Sequence, residues 1–460
     1  MRSFVFRYRL EIAVFAIALA ARLVFFSLSF PAHHGDIVQT IKGDDGYYEL
    51  SQNILAGNGF SFDVAPPYRP NPLRPPVWPF AIAGIAALFK SYWAVFAFEV
   101  LLGSFIPVMG MAIARRLFAR RAVWLGTGLL MAIEPYGVLL STILYTETAF
   151  TALFLASVWF LVRYLQSESK PWRDLVWTAV FMGLATLVKP TIQYVPAALA
   201  ALLLWQERKA LTGKSFVRAG AVLGIFCAVI APWIVRNYVE FGKPGMSAQP
   251  AFNLYVYLAP TVLSIDNRTN FQTEYQSFVK KGGFDENSIT LANGDAYSSQ
   301  AMAVIKEHKL ALVKSAATTL VTFFTHDGML TFMAYAGATF RNDLDRPALD
   351  LLLHEPGKLL SLVGSYARSG AIAIPIMRLV WVAVALCMIA GIYRTLRRSP
   401  CQPALLFAIL LIAYFALTTS INGLGVNARF RVPVNIFIFS FALHGFLVAL
   451  DAVRRRFPHA

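Results

Sequence analysis

Two adjacent carboxylates, Asp44 and Asp45, precede a segment in which Tyr47, Leu50 and Ile54 recur at helical spacing. The spacing predicts a short amphipathic helix at the surface, and one aspartate could cap its first turn, a common role for Asp. A carboxylate here could also act as a general base that takes a proton from a hydroxyl group. The pattern leaves both roles open, although two adjacent carboxylates exceed what a helix cap requires.

Basic side chains at the ends of apolar segments form the second candidate group: Lys189, Arg236, Arg429 and Arg431. Single basic residues at such positions usually anchor a membrane helix by extending to the interface. Four such basic residues lie on the less positive side of the membrane, and an anion that they bind explains this placement better than anchoring does. Residues 429 and 431 would not share a face of a regular helix. We therefore expect either that residues 428–432 are not helical or that one of the two arginines contacts the anion.

Three glutamates extend the list of candidates. Glu147 begins an apolar segment, where a helix dipole favours an acid. Glu99 and Glu134 lie inside apolar segments, where charge is costly and usually functional. For Glu99 and Glu134, a paired or protonated structural glutamate is an equally open alternative.

The sequence contains no motif typical of a metal site or a nucleotide site. His33 and His34 have no partner at metal-ligand spacing, so a metal site is not supported. No Gly-rich nucleotide loop occurs, which disfavours direct use of a nucleotide sugar. Cys227, Cys387 and Cys401 indicate no disulfide framework.

The composition indicates a membrane protein, because 57% of the 460 residues are hydrophobic and only 14% are charged. Lys and Arg total 41 against 25 Asp and Glu, and they cluster between apolar segments. This is the positive-inside pattern of membrane proteins and not that of a nucleic-acid partner.

A span needs about 20 apolar residues, and ten segments qualify approximately. The sequence therefore predicts an all-α, polytopic transmembrane bundle of about ten spans, or eleven to twelve if residues 76–89 and 310–335 also cross. We interpret those two as interfacial or re-entrant helices. The predicted spans are Leu10–Ser29, Tyr92–Ile113, Ala122–Leu140, Thr146–Leu165, Arg173–Val188, Thr191–Gln206, Val217–Val235, Ala371–Tyr393, Pro403–Thr419 and Val432–Leu450.

The basic clusters all fall where a ten-span chain with both termini inside places the cytoplasm. They begin at Arg2, Arg115, Arg163, Arg208, Arg394 and Arg454. Two long loops, 31–91 and about 240–370, then lie on the outer, periplasmic-type face, where function is expected. We divide the chain into an N-terminal membrane module (1–238) with the first loop, a second external loop (239–370) and C-terminal helices (371–460). The predicted location is a bacterial inner membrane.

Six motifs occur in order along the chain. They are the acidic pair before the Tyr-rich helix with Arg74-Pro-Pro-Val-Trp-Pro79, Arg115-Arg-Leu-Phe-Ala-Arg-Arg, Pro135-Tyr…Thr-Glu147, Gly183-Leu-Ala-Thr-Leu-Val-Lys-Pro190, Pro232-Trp-Ile-Val-Arg-Asn237 and Ala428-Arg-Phe-Arg-Val-Pro433. Together they resemble the motifs of the glycosyltransferase C superfamily, whose nearest branches are the protein O-mannosyltransferases and the aminoarabinose transferases of lipid A. The chain departs from some members in lacking an inserted β-rich domain or a large soluble domain after Leu450.

The resemblance implies an inverting transferase that moves a sugar from a polyprenyl monophosphate to a hydroxyl of a glycan, lipid or protein. No cofactor is implied beyond this donor. The base would be Asp44 or Asp45, with Asp44 preferred for its interval to Ser51, and Glu147 would lie in the active cavity. The residues implied for substrate binding are Tyr48, Arg74, Lys189, Arg236, Arg429 and Arg431.

Two other functions share this topology. A transporter or flippase for a lipid-linked sugar should show repeated halves or broken helices in matching positions, and no convincing repeat occurs. A ligase that moves whole glycans from a lipid diphosphate is the third candidate.

Overall fold

The computed structural model describes residues 8–281, 284–285, 288–338, 355–398, 402–421 and 427–456. Across these residues the chain forms helices and connecting turns without a β-strand, which confirms the predicted all-α fold class. Cys401 and residues 339–354 of the second loop lie outside the described part.

The helices are given in chain order. They are α1 (Arg9–Ala32), α2 (Ile37–Ile41), α3 (Tyr47–Ala56), α4 (Val77–Phe89), α5 (Tyr92–Leu117), α6 (Arg121–Ile133), α7 (Pro135–Leu140), α8 (Glu147–Gln166), α9 (Trp172–Thr186), α10 (Val195–Gln206), α11 (Gly213–Phe241), α12 (Gln249–Phe252), α13 (Ala259–Asn267), α14 (Phe271–Glu274), α15 (Gly294–Glu307), α16 (Lys309–Thr325), α17 (Met329–Tyr335), α18 (Pro356–Arg368), α19 (Ala373–Arg398), α20 (Pro403–Ser420), α21 (Asn427–Arg431) and α22 (Asn435–Arg456). Two π-helical segments, Asn253–Leu258 and Tyr275–Val279, and two 3₁₀ turns, Pro190–Ile192 and Val432–Val434, join some of them.

Seven helices in the described part of the chain are long and apolar enough to cross a membrane: α1, α5, α8, α11, α19, α20, and α22 together with most of α21 and the 3₁₀ turn between them. These helices make the chain an integral membrane protein. The other three predicted spans form the shorter helices α6, α9 and α10. Helix length therefore supports seven of the ten predicted spans.

Two prolines interrupt the shorter segments. The residue before a proline is driven out of the helical conformation into an extended one. Glu134 before Pro135 has φ −60° and ψ 120°, and Lys189 before Pro190 has φ −148° and ψ 115°. Both charged side chains therefore project from breaks between helices.

The two stretches that we predicted not to cross form short helices. α4 has 13 residues, and the second stretch divides into α16 and α17 around a turn at His326–Gly328. Gly328 has φ +71°, and a Cβ atom there would clash with the Tyr136 ring. Glycine is needed at this turn for both reasons.

α8 lies at the centre of the bundle. It packs against α5, α9 and α20. Of the 18 consecutive residues that form its apolar stretch, 72% are buried inside the protein, against 17% for the corresponding stretch of α19. Its first residue is Glu147. A carboxylate at the end of the central helix is thus accessible to side chains from several neighbouring segments.

Candidate active site

Charged side chains from five separate segments meet at the N-terminal end of α8. They are Asp44 and Asp45 from the loop before α3, Arg74 from the loop before α4, Glu147, Lys189 and Arg429. We call these six residues the ion-pair cluster. All six were predicted as site residues from the sequence.

Arg429 is the centre of the cluster. Its guanidinium donates from Nε to Glu147 Oε1 at 2.5 Å and from Nη2 to Oε2 at 3.2 Å, and Nη2 also donates to Asp45 Oδ2. The guanidinium carbon lies 4.1 Å from the centroid of the Tyr145 ring. The planar fork holds both carboxylates in fixed directions, a geometry that a lysine ammonium does not reproduce.

Lys189 pairs with the same carboxylate. Its Nζ donates to Glu147 Oε1 at 2.6 Å and lies 4.9 Å from the centroid of the Phe430 ring. The Glu147 side chain is only 1% exposed, so its charge needs these two cations. The macrodipole of α8 adds a favourable interaction with the acid at its first residue.

Asp45 is fixed by two arginines. Besides Arg429, it accepts from Arg74, with Nη2 3.4 Å from Oδ1 and Nε 3.1 Å from the Asp45 carbonyl oxygen. Burial alone would raise the pKa of Asp45, but Arg429 and Arg74 outweigh burial and lower the pKa to about 2. A carboxylate held ionised in this way stays paired at any pH above that value and is a weak base.

Asp44 has a different environment. It is exposed and accepts a hydrogen bond from the Tyr145 hydroxyl, which lies 3.3 Å from the Tyr335 hydroxyl. Burial and the bond to Asp44 raise the pKa of Tyr145, so the phenol stays a donor. Gly43 permits this contact, because a Cβ atom there would lie 2.6 Å from the Tyr145 ring.

Neither aspartate caps α3. The N-cap is Gly46, with φ 76° and no side-chain hydrogen bond. The capping role that the sequence left open for the acidic pair is therefore wrong, and both carboxylates are available to the site. The predicted helix at Tyr47, Leu50 and Ile54 is confirmed.

The second long loop, residues 239–370, contacts the cluster through Gln249. Arg74 Nη1 donates to Gln249 Oε1 at 3.2 Å, and Gln249 Nε2 donates to Asn253 Oδ1 at 2.8 Å. Ser247 Oγ donates to the Leu73 carbonyl at 2.5 Å. The two long loops are thus hydrogen-bonded to each other beside the ion-pair cluster.

Two predicted binding residues lie elsewhere. Arg236 donates to the Asn71 carbonyl and to Asn237, and the rings of Phe60, Trp233 and Phe241 surround its guanidinium. Tyr48 packs its ring against Tyr92. The structure places neither side chain in contact with the ion-pair cluster.

The side chain of Arg431 also lies away from the ion-pair cluster. Residues 427–431 are helical, so the first of our two alternatives for this segment is wrong, and one arginine faces the cluster. Arg431 is fully buried, donates to the Phe323 and His326 carbonyls at 2.8 and 2.7 Å, and lies 3.4 Å from the Trp381 ring centroid. It fastens the turn between α16 and α17.

We expect Arg431→Ala to destabilise the protein by on the order of 3 kcal/mol, because two buried carbonyl groups lose their donor. The unfolding temperature of the purified protein in detergent measures this effect. Arg397→Ala, at an exposed arginine of α19, is the matched control and should be neutral. An Arg431→Ala protein of normal stability but weakened donor binding would contradict the structural role.

The other two glutamates do not join the cluster. Glu134 is the N-cap of α7 and accepts from the backbone N–H groups of Tyr136 and Gly137, a structural role. Glu99 is buried in α5, and neither oxygen has a hydrogen-bond partner among the described residues.

Sequence reasoning missed Tyr145, Tyr335 and Gln249. Tyr145 lies in the quoted segment that ends at Glu147, and its position two residues before that acid was the available signal. The other two lie in the second loop, where no pattern in the sequence distinguished them. Their contacts depend on the packing of that loop.

Three cations and three carboxylates make the cluster neutral overall. The hydrogen bonds of Arg429 use Nε and Nη2, and Nη1 has no acceptor among the described residues. Lys189 donates one of its three protons to Glu147. The site can therefore accept an anion between these cations, beside the exposed carboxylate of Asp44.

Comparison with known proteins gives one family. Residues 73–235 match the model of the dolichyl-phosphate-mannose-protein mannosyltransferase family, a stretch that contains Arg74, Glu147 and Lys189 but not the aspartates or Arg429. No curated protein sequence matches the chain.

Two solved proteins align with most of this chain. The apo oligosaccharyltransferase of Archaeoglobus fulgidus aligns with 96% of this chain and 51% of its own at 12% identity and a TM-score of 0.48. This chain thus spans about half the length of that protein. ArnT from Cupriavidus metallidurans aligns with 96% of this chain and 79% of its own, at 15% identity and a TM-score of 0.39 in the apo state, and at 14% and 0.38 when bound to undecaprenyl phosphate.

These structural scores are too low to assign an activity. The family match rests on sequence instead, and it covers in full the motifs that begin at Arg115, Pro135 and Gly183. Over residues 73–235, the match agrees with the resemblance to the protein O-mannosyltransferases that the sequence motifs predicted.

Proposed function

We propose that the chain is an inverting glycosyltransferase that moves a sugar from a polyprenyl phosphate to an acceptor hydroxyl on the outer face of a bacterial inner membrane. The observation that carries the proposal is the pairing of Arg429 and Lys189 with Glu147, beside an exposed carboxylate at one end of the bundle. The name of the matched family supports a polyprenyl-phosphate donor.

In the proposed reaction, Asp44 accepts the proton of the acceptor hydroxyl as its oxygen attacks the anomeric carbon. The bond between that carbon and the phosphate oxygen breaks, and the polyprenyl phosphate leaves with the electron pair. Lys189 and Arg429 stabilise the charge that develops on the leaving phosphate. One base and one anion site are sufficient for a single displacement with inversion.

The two aspartates would then have separate roles. Asp45 is held by Arg74 and Arg429 and has a low pKa, so it orients these cations. Asp44 has one tyrosine partner and faces solvent, so it is free to take a proton. This difference favours Asp44 as the base.

A donor assay with the purified protein in lipid nanodiscs tests the proposal. We expect release of polyprenyl phosphate with sugar transfer from a polyprenyl monophosphate sugar and no turnover of a polyprenyl diphosphate glycan. Turnover of the diphosphate alone would indicate a ligase. Movement of the donor between leaflets without cleavage would indicate a flippase.

The proposed orientation places both termini in the cytoplasm and loops 31–91 and 239–370 outside. We expect reporter fusions after Arg121, Lys170, Lys214 and Arg398 to report cytoplasm and a fusion at Asn58 to report the outside. A fusion at Asn287, which is outside the described residues, should also report the outside. The physical reason is the retention of positive loops in the cytoplasm. A cytoplasmic signal from Asn58 would overturn this topology.

A further inference from the structure

A small cavity adjoins the ion-pair cluster at Glu147. Its volume is about 30 Å³, and its lining includes Glu147 together with Arg22, Thr151 and Asn435. A water molecule needs about 10–15 Å³ measured in this way. The cavity therefore has room for about two waters between α1, α8 and the start of α22.

Three lining side chains carry a polar atom without a hydrogen-bond partner among the described residues: Arg22 Nε, Thr151 Oγ1 and Asn435 Oδ1. The three residues are only 2%, 0% and 3% exposed. Buried polar atoms are normally paired with protein or with ordered water. A guanidinium N–H donates, an amide oxygen accepts and a hydroxyl does both, which together suit water.

Glu147 connects this cavity to the cluster. Lys189 and Arg429 together donate three hydrogen bonds to its carboxylate, which has about four acceptor positions. The same residue lines the cavity. A water molecule in the cavity could therefore donate to Glu147 at the acceptor position that the two cations leave open.

The residues that line the cavity are closely packed. A Cβ atom on Gly103 of α5 would clash with Ser141 Cβ and would lie 2.9 Å from Arg22 Nε. Only glycine lets α5 approach this closely while the Arg22 side chain stays in place. The space is thus bounded by fixed groups and suits a small ligand such as water.

We propose that ordered water in this cavity bonds Arg22, Thr151, Asn435 and Glu147, and supports the Glu147 carboxylate when Lys189 and Arg429 also bind the donor phosphate. The proposal rests on the proposed function. A phosphate bound by the unused donors of Lys189 and Arg429 shares these cations with Glu147, and a buried carboxylate that is incompletely paired is costly. Water held nearby reduces that cost. Thr151 and Asn435 are then positioning residues that act through water on donor binding.

The test uses Asn435→Leu and Thr151→Val, which keep the size of each side chain but remove the polar atom. Loss of the ordered water should weaken binding of a polyprenyl-phosphate sugar about tenfold and change kcat by less than about twofold. The control is Thr127→Val, because Thr127 is equally buried but bonds Val123 and Ser440 outside the cavity. The control should bind the donor as the wild type does.

A double-mutant cycle with Glu147→Gln distinguishes this role from a merely structural one. The Glu147→Gln variant has no charge at this position to compensate, so adding Asn435→Leu should not weaken donor binding further in that background. If Asn435→Leu lowered donor affinity equally in the wild type and in Glu147→Gln, the inference would be overturned. Unchanged donor affinity in Thr151→Val and Asn435→Leu would also overturn it. Failure of the wild-type protein to bind the donor would instead overturn the proposed function.

Discussion

Replacement of Asp44 by asparagine is expected to lower sugar transfer by about 10²–10⁴-fold, the usual cost of removing a general base. Donor affinity should stay near the wild-type value, because the hydrogen bond of Asp44 comes from Tyr145 and not from the cations of the cluster. The measurement is kcat and KM for donor turnover by purified protein. The amount of protein in the membrane should not change, since the side chain is exposed.

Two further variants make this result specific. Asp63→Asn alters a carboxylate of the same loop that pairs with Arg69, and it should retain transfer. Asp45→Asn should weaken donor binding, since Arg74 and Arg429 would lose the carboxylate that orients them. If Asp45→Asn abolishes turnover at unchanged donor affinity while Asp44→Asn stays active, our choice of base is wrong. Full activity in both variants and in the double variant would remove the aspartates from the mechanism.

The second large effect is expected for Arg429→Lys. A lysine keeps the charge but offers a point cation where the fork of Arg429 bridges Asp45 and Glu147. We expect turnover to fall by about 10²–10³-fold, the usual cost of one donor that stabilises developing charge. Donor binding should weaken at the same time, because the phosphate is bound through the same group.

Arg431→Lys is the matched control, since it makes the same change two residues along the same segment. It should alter stability and leave donor affinity unchanged, because Arg431 bonds carbonyl groups away from the cluster. Arg429→Ala is a poorer test, because it also leaves two carboxylates without a shared cation and should destabilise the fold. If Arg429→Lys bound and turned over the donor normally, the phosphate site would have to lie elsewhere.

The sequence by itself determined the features that depend on local patterns. Apolar length and charge spacing predicted a helical membrane protein, and each of the ten predicted spans contains a helix, of which seven are long enough to cross a membrane. The position of an acid at the first residue of α8, and of a lysine just before Pro190, could be read from neighbouring residues alone. Helix starts and pre-proline breaks are local effects, so no tertiary information is needed to find Glu147 and Lys189.

The tertiary structure alone decided which of the charged candidates meet. Asp45 and Arg429 are 384 residues apart in the chain and in direct contact in the fold. Their pairing separates Asp45, which is fixed and ionised, from the exposed Asp44 one residue earlier. The same packing turns Arg429 toward the cluster and Arg431 toward the turn at His326, and it leaves Arg236 among aromatic rings. The physical reason is that pairing energies depend on the distance and burial of side chains from remote segments, and local spacing determines neither.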